Sequence, residues 1–170
     1  EWFSEQIQPL LIGKSFMIIF ADDFIMGFSN KSDAQRVMEV LPKRFAKYKL
    51  TLHPEKTKLI DLNSKRGESE RSFDFLGFTH YLGASRKGNI VLKRKTSSKK
   101  LTRAITKIEE FIKENRHMKL RELITTINVK LRGHYLYYGI TFNYRGIKLY
   151  YEEVKRALYK WIRRRGGKTK

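Results

Sequence analysis

The residues in this chain best placed to do chemistry are Asp22 and Asp23, in the run Phe20-Ala21-Asp22-Asp23. They stand between two apolar stretches, Ser15-Phe16-Met17-Ile18-Ile19-Phe20 and Phe24-Ile25-Met26-Gly27-Phe28. Two like charges this close raise the cost of ionising both. A divalent cation removes that cost. Hard cations such as Mg²⁺, with Mn²⁺ as the substitute, prefer carboxylate oxygens and are held by one or two carboxylates plus substrate phosphates. Paired acids of this kind suit phosphoryl or nucleotidyl transfer. Asp is also an ordinary turn residue, so the pair alone decides nothing and its surroundings must.

The elements that position the pair follow from periodicity. Short runs rich in Ile and aromatics predict strands, and the short link between them predicts a β-hairpin with dry flanks and both carboxylates at its tip. Trp2 to Leu11 reads as the tail of a helix, stopped near Pro9 or Gly13. Ala34, Val37, Met38, Leu41 and Phe45 recur at helical spacing, predicting a helix over 33–48 with Ser32 and Gln35 as a capping box and a Pro42 that should kink it or tighten its last turns. Leu50-Thr51-Leu52 and Lys58–Leu62 read as short strands, and Asn63–Arg71 as a polar loop. Ser72–Leu82 predicts a strand or hairpin, and Ile90-Val91-Leu92 a return strand. Lys93–Ser98 reads as a basic linker at a domain boundary. Beyond it, three amphipathic patterns (Leu101–Ile112, Leu120–Tyr135 and Tyr150–Trp161) predict a small helical bundle. Residues 166–170 read as a basic tail.

Composition narrows the function. The chain has 170 residues and no Cys, which excludes disulfides and thiolate metal sites, and its four His show no zinc spacing. No apolar run reaches about 18 residues, so no transmembrane helix is expected. The chain starts at Glu1 with no signal-like segment, so secretion is not expected, and the missing initial Met leads us to expect a fragment. The net charge is +20, and residues 1–62 hold nine Lys/Arg against eight Asp/Glu, leaving 28 against nine in residues 63–170. A neutral front and a cationic back favour a polyanionic partner. Aromatics mixed into the basic half favour nucleic acid, because bases stack on rings. On that ground Arg86, Lys87, Lys93, Arg94 and Lys95 are expected to contact phosphates, positioning without reading sequence. A basic membrane-surface protein would leave the paired acids unexplained.

Four stretches in order resemble the C-terminal part of a group II intron reverse transcriptase/maturase. Phe20-Ala21-Asp22-Asp23 stands where that family has Tyr-Ala-Asp-Asp. Leu52-His53-Pro54-Glu55-Lys56-Thr57-Lys58 resembles the next palm motif. Phe73-Asp74-Phe75-Leu76-Gly77-Phe78 resembles the Phe-Leu-Gly motif that closes the palm. Arg132-Gly133-His134-Tyr135-Leu136-Tyr137-Tyr138-Gly139 resembles the maturase-specific segment of the thumb. The resemblance implies an α+β fold, with a partial palm over 1–92 and a helical thumb over 99–165. It implies RNA-templated DNA synthesis by the two-metal mechanism, with an RNA template, a DNA primer, deoxynucleoside triphosphates and group II intron RNA as partners. Asp22 carries over as the principal metal ligand and Asp23 as its neighbour. Phe20 carries over as the ring beneath the primer terminus, and Ala21 as a small residue admitting nucleic acid. Lys56 carries over as partner or general acid to the triphosphate, and Phe75-Leu76-Gly77 as a primer grip.

In the thumb, Arg132, Tyr137 and Arg145 are the expected nucleic-acid contacts. Tyr135 reads as bundle core, while Tyr137 can also stack on, or hydrogen-bond to, a strand backbone. The family uses a third Asp from a palm strand upstream of the hairpin, and none of the 21 residues before Asp22 is Asp. The chain alone is therefore expected not to polymerise DNA. The alternatives are a non-catalytic RNA-binding splicing factor and a reverse transcriptase of retron, diversity-generating or CRISPR-linked type.

Overall fold

The computed structural model describes residues 1–63 and 71–165, which divide into two compact units, Glu1–Arg71 and Ser72–Lys170. Most of the polar loop expected over Asn63–Arg71, and the whole tail at 166–170, lie outside the described residues.

The first unit begins with a π-helical turn, Trp2–Ile7, and a 3-10 turn, Gln8–Leu10. The antiparallel hairpin β1 (Ser15–Phe20) and β2 (Asp23–Phe28) follows, then helix α1 (Lys31–Ala46). Pairing runs from Ser15 opposite Phe28 to Phe20 opposite Asp23, so the link is only Ala21-Asp22. Asp23 is thus not at the tip but opens β2. Cross-strand partners share a face. One face carries Met17, Ile19, Phe24, Met26 and Phe28. Phe28 meets Phe3 edge-on at 6.2 Å, and Phe24 stacks on Phe45 of α1 at 5.8 Å. The other face carries Phe16, Ile18, Phe20, Ile25 and Asp23, and there the flanks are not dry: Phe16, Ile18 and Phe20 are 54%, 50% and 60% exposed. A two-stranded ribbon has two faces, and the turns at the start and α1 cover most of one, leaving Ile19 near its tip 64% exposed.

Asn30 caps α1, its side-chain oxygen accepting from the Ser32 backbone at 2.8 Å, so the cap is two residues earlier than the Ser32 box. Ala34, Val37 and Leu41 bury the helix face. Asp33, 1% exposed, turns a carboxylate oxygen to the backbone N–H groups of Ile12 and Gly13 at 2.9 and 2.8 Å, tying the strand entry to the helix. Pro42 does not stop α1. Its end is a paired closure in which Leu50 N–H donates to Phe45 and Lys49 N–H to Ala46, with Lys49 at φ 59° where Gly is usual. The expected strands at 50–52 and 58–62 do not form, because neither run finds a pairing partner among the described residues.

The second unit holds the sheet β3 (Ser72–Phe75), β4 (Phe78–Ala84) and β5 (Ile90–Thr96), antiparallel in that order. Helices α2 (Ser98–Glu114), α3 (Leu120–Tyr138) and α4 (Tyr144–Ile162) follow. The stretch 93–98 is therefore not a linker. It ends β5 and enters α2, with Ser97 N–H bonded to the Gly77 carbonyl at 2.9 Å. The helices close on Ile108, Ile112, Leu123, Ile127, Leu131, Tyr150, Val154 and Ala157. Each Ile, Leu or Val among them contributes roughly 1.5–3 kcal/mol on burial, which is what holds helices of this length together.

Asn143, 1% exposed, joins sheet to bundle. Its side-chain oxygen accepts from Thr96 N–H at 2.8 Å, and its amide donates to Thr96 Oγ1 at 2.8 Å and to the Tyr138 carbonyl at 2.7 Å. A Cβ on Gly146 would lie 2.6 Å from that oxygen, so only Gly fits beside it. At the other end of the bundle Arg165 donates to the carbonyls of Arg116 and Met118, closing the α2–α3 corner.

Candidate active-site hairpin and nucleic-acid surfaces

The β1–β2 turn is strained where the acids sit. Ala21 has φ 53° and Asp22 does not share the positive angle, the pattern of a hairpin turn that favours Gly at its first position. An L-residue there costs roughly 1–2 kcal/mol. The turn places Asp22 at the tip, and the strand register places Asp23 beside Phe20 on the open face. Both acids are exposed, and among the described residues neither carboxylate makes a hydrogen bond or ion pair. Asp33 is the contrast, a buried acid engaged by backbone. Among the described residues no cluster of three or more His, Cys, Asp or Glu exists. Two unengaged carboxylates on an open turn nonetheless fit a hard cation that keeps its waters and takes further oxygens from substrate. Lys56 is exposed in the turn His53–Thr57, whose Lys56 and Thr57 N–H groups both donate to the His53 carbonyl.

In the second unit the expected primer-grip residues occupy another two-residue turn. Leu76 and Gly77 have φ 50° and 80°, a primed turn matching strand twist. This turn is held from outside. Tyr137 Oη donates to the Leu76 carbonyl at 2.8 Å, and a Cβ on Gly77 would meet Tyr138 Oη at 3.1 Å. Phe78 stacks on Tyr137 at 5.7 Å and leans on Tyr138 at 5.3 Å. The structure thus joins the Phe-Leu-Gly stretch to the Tyr-Tyr stretch. Tyr137 uses its hydroxyl on the turn backbone and leaves a half-exposed ring.

Arg86 and Lys87 lie exposed in the β4–β5 loop. Lys93 and Lys95 share one face of β5, with Lys93 over the Phe142 ring at 5.3 Å and Lys95 over Tyr81 at 5.5 Å, while Arg94 points to the face of His80. The basic trio is therefore split by strand alternation. Arg132 on α3 and Arg145 on α4 are exposed.

Two half-buried histidines carry solvent-shielded ring nitrogens without hydrogen-bond partners: both of His80 and Nε2 of His134. His80 lies against Phe73 and Phe75 with both nitrogens unpaired, and burial, then Arg94, pulls its pKa below the usual value against the smaller opposing effect of Asp74. His134 stacks on Tyr150 at 3.7 Å, and burial lowers its pKa as well. Burial raises the Tyr150 hydroxyl pKa. His134 and Tyr150, with Lys107 and Lys130, line an open cleft of about 300 Å³ between the helices.

Asp33 and Asn143 are the structural polar residues the sequence did not reveal. Asn143 precedes the observed α4 but lies seven residues before the apolar pattern that announces it, and its side chain makes no capping bond. Its bonds to a strand 47 residues earlier were not legible.

Residues 1–80 match the family described as reverse transcriptase (RNA-dependent DNA polymerase). Residues 101–170 match the group II intron, maturase-specific domain. No individual curated protein matches the chain. No helix among the described residues is long and apolar enough to cross a membrane. With both family segments present in order, one carrying the paired acids and the other the helical bundle, the chain belongs to the group II intron-type reverse transcriptase/maturase family.

Proposed function

We propose that this chain supplies the metal-binding hairpin and the thumb for RNA-directed DNA synthesis, and that its basic second unit also binds intron RNA to assist splicing. The observation that carries the reading is the pair Asp22 and Asp23, their carboxylates exposed and unengaged, one in the two-residue turn that Ala21 enters at φ 53° and one at the first position of β2. Asp22 and Asp23 would hold Mg²⁺, which when bound polarises the attacking 3′ oxygen and offsets charge on the leaving pyrophosphate. Phe20, sharing the open face with Asp23, offers its ring to the primer terminus. Ala21 keeps the tip low enough for a polynucleotide to approach. Lys56 offers an ammonium to the triphosphate. Phe75, Leu76 and Gly77 act as a preset turn, which Tyr137 stiffens. Arg86, Lys87, Lys93, Arg94, Lys95, Arg132 and Arg145 anchor phosphates without reading bases.

A third carboxylate must come from a palm segment not within this chain, so synthesis is expected only when residues 1–170 are joined to one. Primer extension on an RNA template tests the reading in that longer protein. Extension abolished by Asp22→Ala supports it. No extension by the unaltered protein, with RNA binding intact, sinks the polymerase role and leaves a splicing factor.

A further inference from the structure

The outward face of α4 carries a pattern the reading above does not use. Tyr144, Lys148, Tyr151, Lys155, Tyr159 and Arg163 alternate ring and cation at steps of four, three, four, four and four residues. These steps keep all six on one side of a helix, away from the buried Tyr150, Val154 and Ala157. All six are exposed, the three Tyr by 73%, 43% and 65%. Three solvent-facing Tyr on one stripe are not bundle packing, and such patches mark interaction sites. Two of the cations already lie on their neighbours: Lys155 Nζ is 5.3 Å from the Tyr151 ring, and the Arg163 guanidinium is 5.2 Å from the Tyr159 ring. Glu152 at the margin pairs with Lys155 at 3.3 Å, so Lys148 and Arg163 carry the less screened charge.

We propose that this stripe is a ridge that seats double-stranded RNA through its sugars and phosphates. This rests on the polynucleotide-binding role proposed above and assigns part of it to α4. The occupant follows from charge and shape. Lys148, Lys155 and Arg163 are seven and eight residues apart, or roughly 10–12 Å along the axis, about three phosphates of one strand. A helix ridge is convex, whereas single strands are held in grooves. The wide, shallow minor groove of an RNA duplex accepts a ridge and displays 2′-hydroxyls that tyrosine hydroxyls can bond.

The test uses the full chain, a perfectly paired RNA hairpin and a single strand of the same composition, titrated at several salt concentrations. Lys148→Gln/Lys155→Gln/Arg163→Gln should lower the salt slope for the duplex by up to about 3. Tyr144→Ser/Tyr151→Ser/Tyr159→Ser should weaken duplex binding several-fold more than single-strand binding. Should either triple variant melt early, single substitutions read the same effects one residue at a time. Duplex binding equal to the unaltered chain in both variants overturns the ridge alone, as does a loss confined to the single strand. No RNA binding by the unaltered chain overturns the wider reading with it.

Discussion

The two hairpins of this protein share a local geometry and use it in opposite ways. Each turns in two residues, and each puts a non-glycine residue first at positive φ, Ala21 at 53° and Leu76 at 50°. Around Leu76-Gly77 every neighbour responds: Tyr137 bonds the carbonyl of the first residue, Ser97 bonds that of the second, and Tyr138 closes over it. Around Ala21-Asp22 no described residue bonds the turn side chains. One turn is held so that the sheet keeps its shape. The other leaves the Asp22 carboxylate, with Asp23 next to it on β2, exposed and without a partner among the described residues, as the proposed metal site requires. Strain at a turn becomes informative about function when its surroundings do not explain it.

The comparison breaks most sharply on activity. With the chain joined to a palm segment bearing the third carboxylate proposed above, Asp22→Ala should lower primer extension by several powers of ten. It should move stability by no more than about 0.5 kcal/mol, as for an exposed residue without partners. A large drop in melting temperature would mean the acid is structural after all. Asn143→Ala is the mirror case. It removes three hydrogen bonds and leaves the Thr96 N–H buried and unpaired, costing on the order of 2–4 kcal/mol, read as an early thermal transition.

Smaller effects sharpen the contrast. Gly77→Ala adds a Cβ at φ 80° against Tyr138 and should cost about 1–2 kcal/mol. Ala21→Gly relieves the unclamped turn and should raise stability by up to about 1 kcal/mol. If Ala21→Gly instead destabilises, the two turns are not the pair described.

Acid should also separate the hairpins. His80 packs on the clamped one, with a folded pKa below 6.5. A base whose folded pKa is lowered contributes stability that is present above its unfolded value and lost as pH falls through the folded one. Denaturant melts of the chain should therefore weaken as pH drops below 6.5, and His80→Phe should flatten that dependence. His134 acts with the same sign in the same unit.

Much of this organisation was legible because it is periodic. Apolar residues at helical spacing gave α2 and α3 within about three residues of their ends and α4 without its first six residues, Tyr144–Leu149, and the Ile-rich runs gave β1 and β2. Non-periodic features were not legible. Lys93–Ser98 is basic enough to pass for a linker, yet its charges alternate across an edge strand. The runs at 50–52 and 58–62 have strand-forming side chains, but a strand needs a partner and local composition cannot promise one. The acidic pair was visible as a pair. That the register assigns one to the tip and one to the ribbon depends on where pairing begins, which no residue type dictates.

The bond from Asn143 to Thr96 makes one amide a reporter. Thr96 N–H is buried and held by a side chain 47 residues away, so hydrogen exchange there requires strand and helix to part together. Its protection should equal the free energy of opening the entire second unit. If it exchanges as fast as an edge-strand amide, sheet and bundle come apart independently.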